Sequence, residues 1–391
     1  MNRDAAAPPG PFLLFCPSIG GGFPRHSHFQ ARELASRGVM VEMLCRPDFP
    51  MTAPPGSYRQ VPCLVGVNGP GLARKLLRVA CFVVNYWILA WQILRRRPRF
   101  VLMESNTEYF AACWAWPHLL LAALGRTTYL ANFHDPAREK RFGPDWWHRL
   151  TLRLGFGMLR GGLVHGGVPA GADIPARVSI RSVPHGLLGD AATSRPAFDL
   201  RERLGIAPGR VILLSFGLIA DRKNLDLLIA ALPDLPEVEL VIAGDDVSAS
   251  QRPSHWYKAC AEALGVADRV HFVIRYIPEE ETPAWFGGAD IIALTYNRAF
   301  VSQSGVLQLA VLWDKPVLAS SGPGPLQEAV ETGLGVFVAP DSVPAIVAGL
   351  RQLTGGWRPD PAAFAAYRRH ASWEANVDGL LDLARSLDRA A

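Results

Sequence analysis

The sequence is poor in several features that would narrow its function at once. Its six cysteines, Cys16, Cys45, Cys63, Cys81, Cys113 and Cys260, have no paired spacing. This fits neither a disulfide framework nor a zinc site, and a reducing cytoplasm is the simplest expectation. The stretch Met1 to Gly10 lacks the basic region and apolar run of a secretory signal, so no export is expected. There is no internal repeat and no low-complexity segment. No Asp-x-Asp pair is present to hold a metal-bound diphosphate, and no glycine spacing matches a Walker loop or a dinucleotide fingerprint.

What is present points to two α/β domains. At 391 residues, 49% hydrophobic and 19% charged, the chain is too long for one typical core and too apolar for disorder. Short apolar runs alternate with helical segments, the pattern of a parallel sheet with crossover helices. The first half has candidate strands at Pro11 to Pro17, Val39 to Cys45, Phe100 to Glu104 and Thr127 to Phe133, and a helix that stops at Arg37-Gly38. Pro184 to Pro196 is turn-rich. A second alternation follows, with strands at Arg210 to Phe216, Val238 to Ala243, Val270 to Ile274, Ile291 to Leu294, Pro316 to Ala319 and Gly335 to Val338. The expected division is an N-terminal Rossmann-like domain over 1–195, a second over 205–370, and a final helix over 371–391 that crosses back to the first domain.

Open α/β sheets bind ligands beyond the carboxyl ends of their strands, which directs attention to four loops. Gly20, Gly21 and Gly22 follow the first strand and precede a helix expected near Ser27; they allow close approach of a ligand to the backbone, or only tight packing. His134 and Asp135 end the fourth candidate strand, placed to bind a sugar hydroxyl, move a proton or stabilise charge, or else to start a turn at Asp135-Pro136. Gly217, Arg222 and Lys223 follow the strand Arg210 to Phe216, where two cations suit a diphosphate. Ser302, Ser304 and Gly305 open a helix and form a backbone nest for phosphate oxygens, and Glu328 lies beyond a Gly-Pro turn, placed to accept hydroxyl hydrogen bonds.

The net charge of +5 is concentrated around one stretch. Arg74, Lys75 and Arg78 precede the apolar run Val79 to Leu94, which contains Phe82, Tyr86, Trp87 and Trp91 and is interrupted by Asn85 and Gln92; Arg95, Arg96, Arg97 and Arg99 follow. This apolar part is shorter than the ~20 residues a bilayer span requires. Two readings stand: a helix packed partly on the protein and partly in an anionic lipid interface, or a core helix with arginines at its C-terminal end.

The second half resembles the retaining glycosyltransferases of family 4, more narrowly bacterial members that build exopolysaccharide or lipid-linked sugars. The resemblance runs from Ser215 to Val338: the loop Gly217 to Lys223, Ile242-Ala-Gly-Asp245, Asp268-Arg-Val-His-Phe272, Tyr276-Ile-Pro-Glu-Glu280, Ala289-Asp290, Ser304-Gly305, Lys315-Pro-Val317 and Gln327-Glu328. In the first half it rests on the triple glycine, His134 and Pro184-His-Gly186, and at the end on Trp373-Glu374. It implies the GT-B fold, two Rossmann-like doubly wound domains facing a cleft. It further implies Lys223 on the donor diphosphate and His134 as the catalytic histidine. The family's first-loop arginine is here Leu218, a role left to Arg222, and its two glutamates fall at Val301 and Leu309, with Gln303 and Gln308 the nearest polar substitutes.

The expected function is a glycosyltransferase (hexosyltransferase) with donor-binding residues Gly217, Arg222, Lys223, Gln303, Ser304, Gly305 and Glu328 and acceptor-side residues Gly20, Gly21, Gly22 and Asp135. The expected partners are a nucleotide-sugar, a lipid-linked or glycan acceptor and an anionic membrane surface, with no nucleic acid, no cofactor and no metal. The expected location is cytoplasmic, peripheral at the inner face of the cell membrane. A sugar-nucleotide epimerase and a non-catalytic nucleotide-sugar-binding protein are the rival readings.

Overall fold

A computed structural model describes residues 10–69, 71–105, 107–134, 143–168, 172–189, 196–246 and 251–389. The chain forms two compact units, Met1–Gly186 with Ser372–Ala391, and Leu187–Ala371.

The first unit is built on a seven-stranded parallel sheet in the order β3-β2-β1-β4-β5-β6-β7. Its strands are β1 (Phe12–Phe15), β2 (Val41–Cys45), β3 (Arg59–Pro62), β4 (Phe100–Met103), β5 (Thr128–Phe133), β6 (Leu159–Val164) and β7 (Ser179–Ser182). Strands β1, β4 and β5 are buried along their whole length, which is why they read as unbroken apolar runs rather than alternating ones. One sheet face is covered by α1 (Phe23–Ser36) and by the final helix α13 (Trp373–Arg389), whose Val377, Leu380, Leu381 and Ala384 join Leu14, Leu34 and Leu130 in one core. The other face carries α2 (Leu72–Arg96), α3 (Ala111–Ala123) and α4 (Asp145–Gly155); there Tyr86, Leu89 and Ile93 of α2 and Trp114 of α3 pack on Phe15, Met103 and Tyr129. The first helix begins at Phe23, earlier than the expected Ser27, with Gly22 at its N-cap; Pro24 fits the first helical turn, whose N–H groups have no intrahelical partner.

The second unit has a six-stranded parallel sheet, β10-β9-β8-β11-β12-β13, made of β8 (Val211–Phe216), β9 (Val238–Gly244), β10 (Val270–Ile274), β11 (Ile291–Thr295), β12 (Val317–Ser320) and β13 (Gly335–Phe337). Its helices run from α5 (Leu200–Leu204) through α6 (Leu225–Ala231), α7 (Ser254–Ala263), α8 (Thr282–Gly288), α9 (Gly305–Leu312), α10 (Pro325–Glu331) and α11 (Val343–Thr354) to α12 (Pro361–His370). In both sheets the strand order reverses beside the first strand, between β1 and β4 and between β8 and β11. Such switch points leave a crevice at the strands' carboxyl ends because the flanking crossovers turn away to opposite sides.

Candidate functional site

At the second unit's switch point two loops lean on each other. The loop after β8 contains Gly217, with a φ of 88° that favours glycine, and a short helical turn Asp221–Lys223. A Cβ on Gly244, at the end of β9, would lie 1.8 Å from the Gly217 oxygen, so only glycine permits this approach of the two strand ends. The neighbouring loop after β11 is tied to the first: Thr295 Oγ1 donates to the Lys223 oxygen at 3.0 Å, and the Asn297 amide donates to the Arg222 oxygen at 2.8 Å.

Lys223 is buried, and its Nζ donates to the Phe216 oxygen at 2.6 Å. Burial, with the Arg222 charge beside it, lowers its pKa to about 7. A desolvated ammonium with one backbone acceptor is poised to gain from an anion, since an opposite charge stabilises its protonated form. The Arg222 guanidinium lies 5.9 Å from the centre of the Phe300 ring, and Phe300 stacks on Tyr296 with ring centres 3.9 Å apart. Asp221 is held by Arg252 and by the Tyr257 hydroxyl, which fixes the base of the loop.

The helix α9 starts at Gly305 with Ser304 at its N-cap and no side-chain cap, leaving its first amides free of side-chain acceptors. The Ser304 hydroxyl pairs with the Tyr296 hydroxyl at 2.9 Å. Gln303 accepts from the Ser304 amide at 3.2 Å, and Gln303 and Gln308 both donate to the Tyr367 hydroxyl, at 3.2 and 3.1 Å. The two amides that stand nearest the missing glutamates therefore anchor the loop and α9 to α12. Gly322 and Gly324, whose Cβ atoms would meet the Arg298 and Val301 oxygens at 2.3 and 3.0 Å, let the loop after β12 lie against this segment. Glu328 is exposed on the first turn of α10.

In the first unit a polar group gathers at the strand ends. Glu104 follows β4, His134 follows β5, His165 follows β6, and His185 lies beyond β7, while His26 comes from α1. Glu104 is 3% exposed; its carboxylate lies 3.0 Å from His26 Nδ1 and 2.9 Å from His134 Nε2, and accepts from Asn132 Nδ2 at 3.2 Å. Burial opposes its ionisation, but the two histidines outweigh that effect and hold its carboxyl well below the usual range. Burial holds His26 and His165 below the ordinary histidine value and takes His185 down to about 3; neighbouring imidazoles push all three the same way.

Of the acceptor-side residues, Gly20, Gly21 and Gly22 are exposed in the turn before α1, and only Gly21, at a φ of 70°, has a glycine-favouring backbone. Asp135 lies outside the described residues. His26, Glu104, His165 and His185 were not singled out as site residues from the sequence. The available signal was a polar, titratable residue just past each apolar strand: Met103-Glu104, Phe133-His134, Val164-His165 and Pro184-His185.

The basic stretch forms α2, which at 25 residues is the one helix among the described residues long and apolar enough to cross a membrane. It is also the connection from β3 to β4, and Asn85, Tyr86, Leu89, Ala90 and Ile93 face the protein core. Its opposite side exposes Leu76, Trp87 (51%), Trp91 (62%) and Leu94. Arg96 is bound to Glu42 and Gln92, and Arg99 to Asp388, so two of the seven basic residues serve the fold. Arg74, Lys75, Arg78, Arg95 and Arg97 are exposed.

Comparison with known proteins agrees with this geometry. Residues 197–371 match the family of Glycosyl transferases group 1. A D-inositol 3-phosphate glycosyltransferase from Xylanimonas cellulosilytica is 32% identical over 44% of this chain and 45% of its own length. The lipopolysaccharide core biosynthesis mannosyltransferase LpsB of Rhizobium meliloti is 25% identical over 72% of this chain and 76% of its own. The chain spans less than half the length of the first curated relatives it matches, 41% and 45%. Among solved structures, a sucrose-phosphate synthase from Thermosynechococcus elongatus superposes with a TM-score of 0.70 at 18% identity, covering 97% of this chain and 100% of the other. That likeness shows the fold: two Rossmann-like domains of the GT-B type. The second unit, with its Gly217 to Lys223 loop and its α9 N-terminus, is a Glycosyl transferases group 1 domain.

Proposed function

We propose that the protein is a glycosyltransferase that moves a sugar from a nucleotide-sugar donor to a lipid-linked or glycan acceptor. The observation that carries this reading is the pair of bonded loops at the β8/β11 switch point, with the buried Lys223 ammonium behind them. Lys223 and Arg222 supply the positive charge and the α9 N-terminus supplies amide donors, a combination that neutralises a leaving diphosphate in the way a divalent ion does elsewhere. On this reading the donor diphosphate requires no metal. His134 is the catalytic residue of the first unit, acting on the transferring sugar or the acceptor hydroxyl.

The acceptor class is supported by α2. A helix with one face packed in the core, Trp87 and Trp91 exposed on the other, and five exposed basic residues towards its two ends suits an anionic lipid interface. The relatives named above act on inositol phosphate and in lipopolysaccharide core synthesis. We therefore place the protein at the inner face of the cell membrane, bound peripherally.

A thermal-shift screen of the full chain against UDP, GDP and their sugars, with and without EDTA, tests the donor assignment. A ligand that binds only the folded state raises its melting midpoint. One nucleotide series should do so irrespective of EDTA; no shift with any of them contradicts the reading. The cognate nucleotide-sugar incubated alone should remain largely intact, whereas an epimerase would convert it.

A further inference from the structure

Three histidines of the polar group in the first unit stand close enough to share an ion. His26, His134 and His165 come from α1 and from the ends of β5 and β6, and one nitrogen from each lies within 4.8 Å of the other two. Their rings form a close triangle: centres are 4.6 Å apart for His26 and His134, 5.1 Å for His26 and His165, and 4.9 Å for His134 and His165.

Behind two of these rings sits Glu104. It engages His26 through Nδ1 and His134 through Nε2, which leaves each with its other ring nitrogen for a further partner. For His26 that nitrogen, Nε2, is buried with no hydrogen-bond partner; the His165 ring is buried beside the Val183 backbone, which can take one of its nitrogens and leaves the other without a partner. A buried nitrogen without a partner loses its hydration and gains nothing in exchange. Metal-bound histidines almost always place their second ring nitrogen on a carboxylate or carbonyl, which fixes the tautomer and strengthens the ligand. Among the described residues, the hydrogen-bond and ion-pair partners of the Glu104 carboxylate are two imidazoles and an amide, with no lysine or arginine. A buried carboxylate in such surroundings is better compensated with a cation close by.

We propose that His26, His134 and His165 bind one divalent transition-metal ion of the zinc class, with Glu104 orienting two of the ligands. Three imidazole nitrogens suit borderline metals and not Mg2+ or Ca2+, which take oxygen ligands. The His185 ring, centred 4.8 Å from that of His165, adjoins the three ligands. A zinc–nitrogen bond of about 2.1 Å puts tetrahedral ligand nitrogens roughly 3.4 Å apart, so binding draws nitrogens that now lie within 4.8 Å of one another closer by up to about 1.4 Å. The centre belongs to the first unit and is separate from the donor loops of the second. It does not depend on the donor assignment of the second unit, but it replaces the direct role proposed above for His134, whose second nitrogen then holds the ion.

The test is a Co2+ titration of the tag-free, chelator-stripped full chain, followed by Zn2+ displacement and metal quantification after dialysis. Wild type should take up one equivalent, with the visible absorption of low-coordinate Co2+ and no thiolate charge-transfer bands. The variants His165→Asn and His26→Gln should each weaken uptake by about a hundredfold or more, and Glu104→Gln by roughly ten- to a hundredfold. Zn2+ should raise the melting midpoint of wild type and not of His165→Asn. Uptake well below one equivalent by wild type overturns the proposal, whether or not the variants fold. So do thiolate bands that place the metal on cysteine, or equal affinity in wild type and a folded His165→Asn.

Discussion

The two units repeat one topology and fill its strand ends with opposite chemistry. At the switch point of the second, the available groups are a buried ammonium, a guanidinium, close-packed glycines and the amides of α9. At the strand ends of the first are four imidazoles and a buried carboxylate. The same twisted sheet thus carries groups that suit an anion in one case and a proton or a metal ion in the other. The fold supplies the location and the loop residues supply the function.

The largest expected effect separates the units by their relation to lipid. Changing Arg74, Lys75, Arg78, Arg95 and Arg97 together to Gln removes up to about 5 kcal/mol of attraction to an anionic surface, at ~1 kcal/mol per charge. Co-sedimentation with anionic vesicles at low salt should fall by several hundredfold or more, with nucleotide affinity unchanged. Wild type left in the supernatant would remove the main support for a lipid-linked acceptor, and wild type pelleting equally at high salt or with neutral vesicles would mean that Trp87 and Trp91 dominate over charge.

Next in size is His134→Ala, which should lower turnover roughly a hundredfold or more while leaving the donor affinity intact, because proton transfer and charge stabilisation act only in the transition state. Steady-state kinetics and nucleotide titration on the same preparation give both numbers. A melting curve that collapses instead would assign His134 a structural role.

For the second unit, Lys223→Ala should weaken nucleoside-diphosphate binding by about 10- to 150-fold, the equivalent of a 1.5 to 3 kcal/mol charge-assisted contact, and abolish most turnover. Isothermal titration reads the first effect directly, and unchanged affinity would take Lys223 out of the site.

The smallest effect is one of pH. Lys223 starts from a pKa of about 7, and a bound diphosphate raises it, so binding takes up a proton and weakens as pH climbs through the free value. Affinity for the intact nucleotide-sugar should drop about fivefold between pH 7 and pH 8, and proton uptake should appear as a buffer-dependent binding enthalpy. Lys223→Arg, charged throughout, should bind with little pH dependence; an equal drop in that variant would assign the titration to another group.

The second unit was far more legible in the sequence than the first. Its six strands are largely apolar runs bounded by turns, with β9, β11 and β12 buried throughout, and its loop residues singled out from the sequence follow the strand ends. In the first unit β3 and β7 are edge strands with exposed arginine and serine positions, so no apolar pattern marks them. Strand β6 carries Gly161 and Gly162 because side chains there would meet Leu387 of α13 and the Phe133 ring, a packing reason invisible along the chain. Likewise, Gln303 and Gln308 looked like substitutes for ligand-binding carboxylates, but their donors are directed at Tyr367, some sixty residues away. The histidine group escaped notice for the same reason: its members come from five elements and meet only when the sheet is assembled.

Hydrogen–deuterium exchange of the full chain, with and without the nucleotide-sugar found by the screen, tests the central claim most directly. The account predicts protection over residues 217–224 and 295–305 and at the first turn of α10, the loops gathered at the β8/β11 switch point. Protection that leaves those segments unchanged, or that falls only on the strand ends of the first unit, would contradict it.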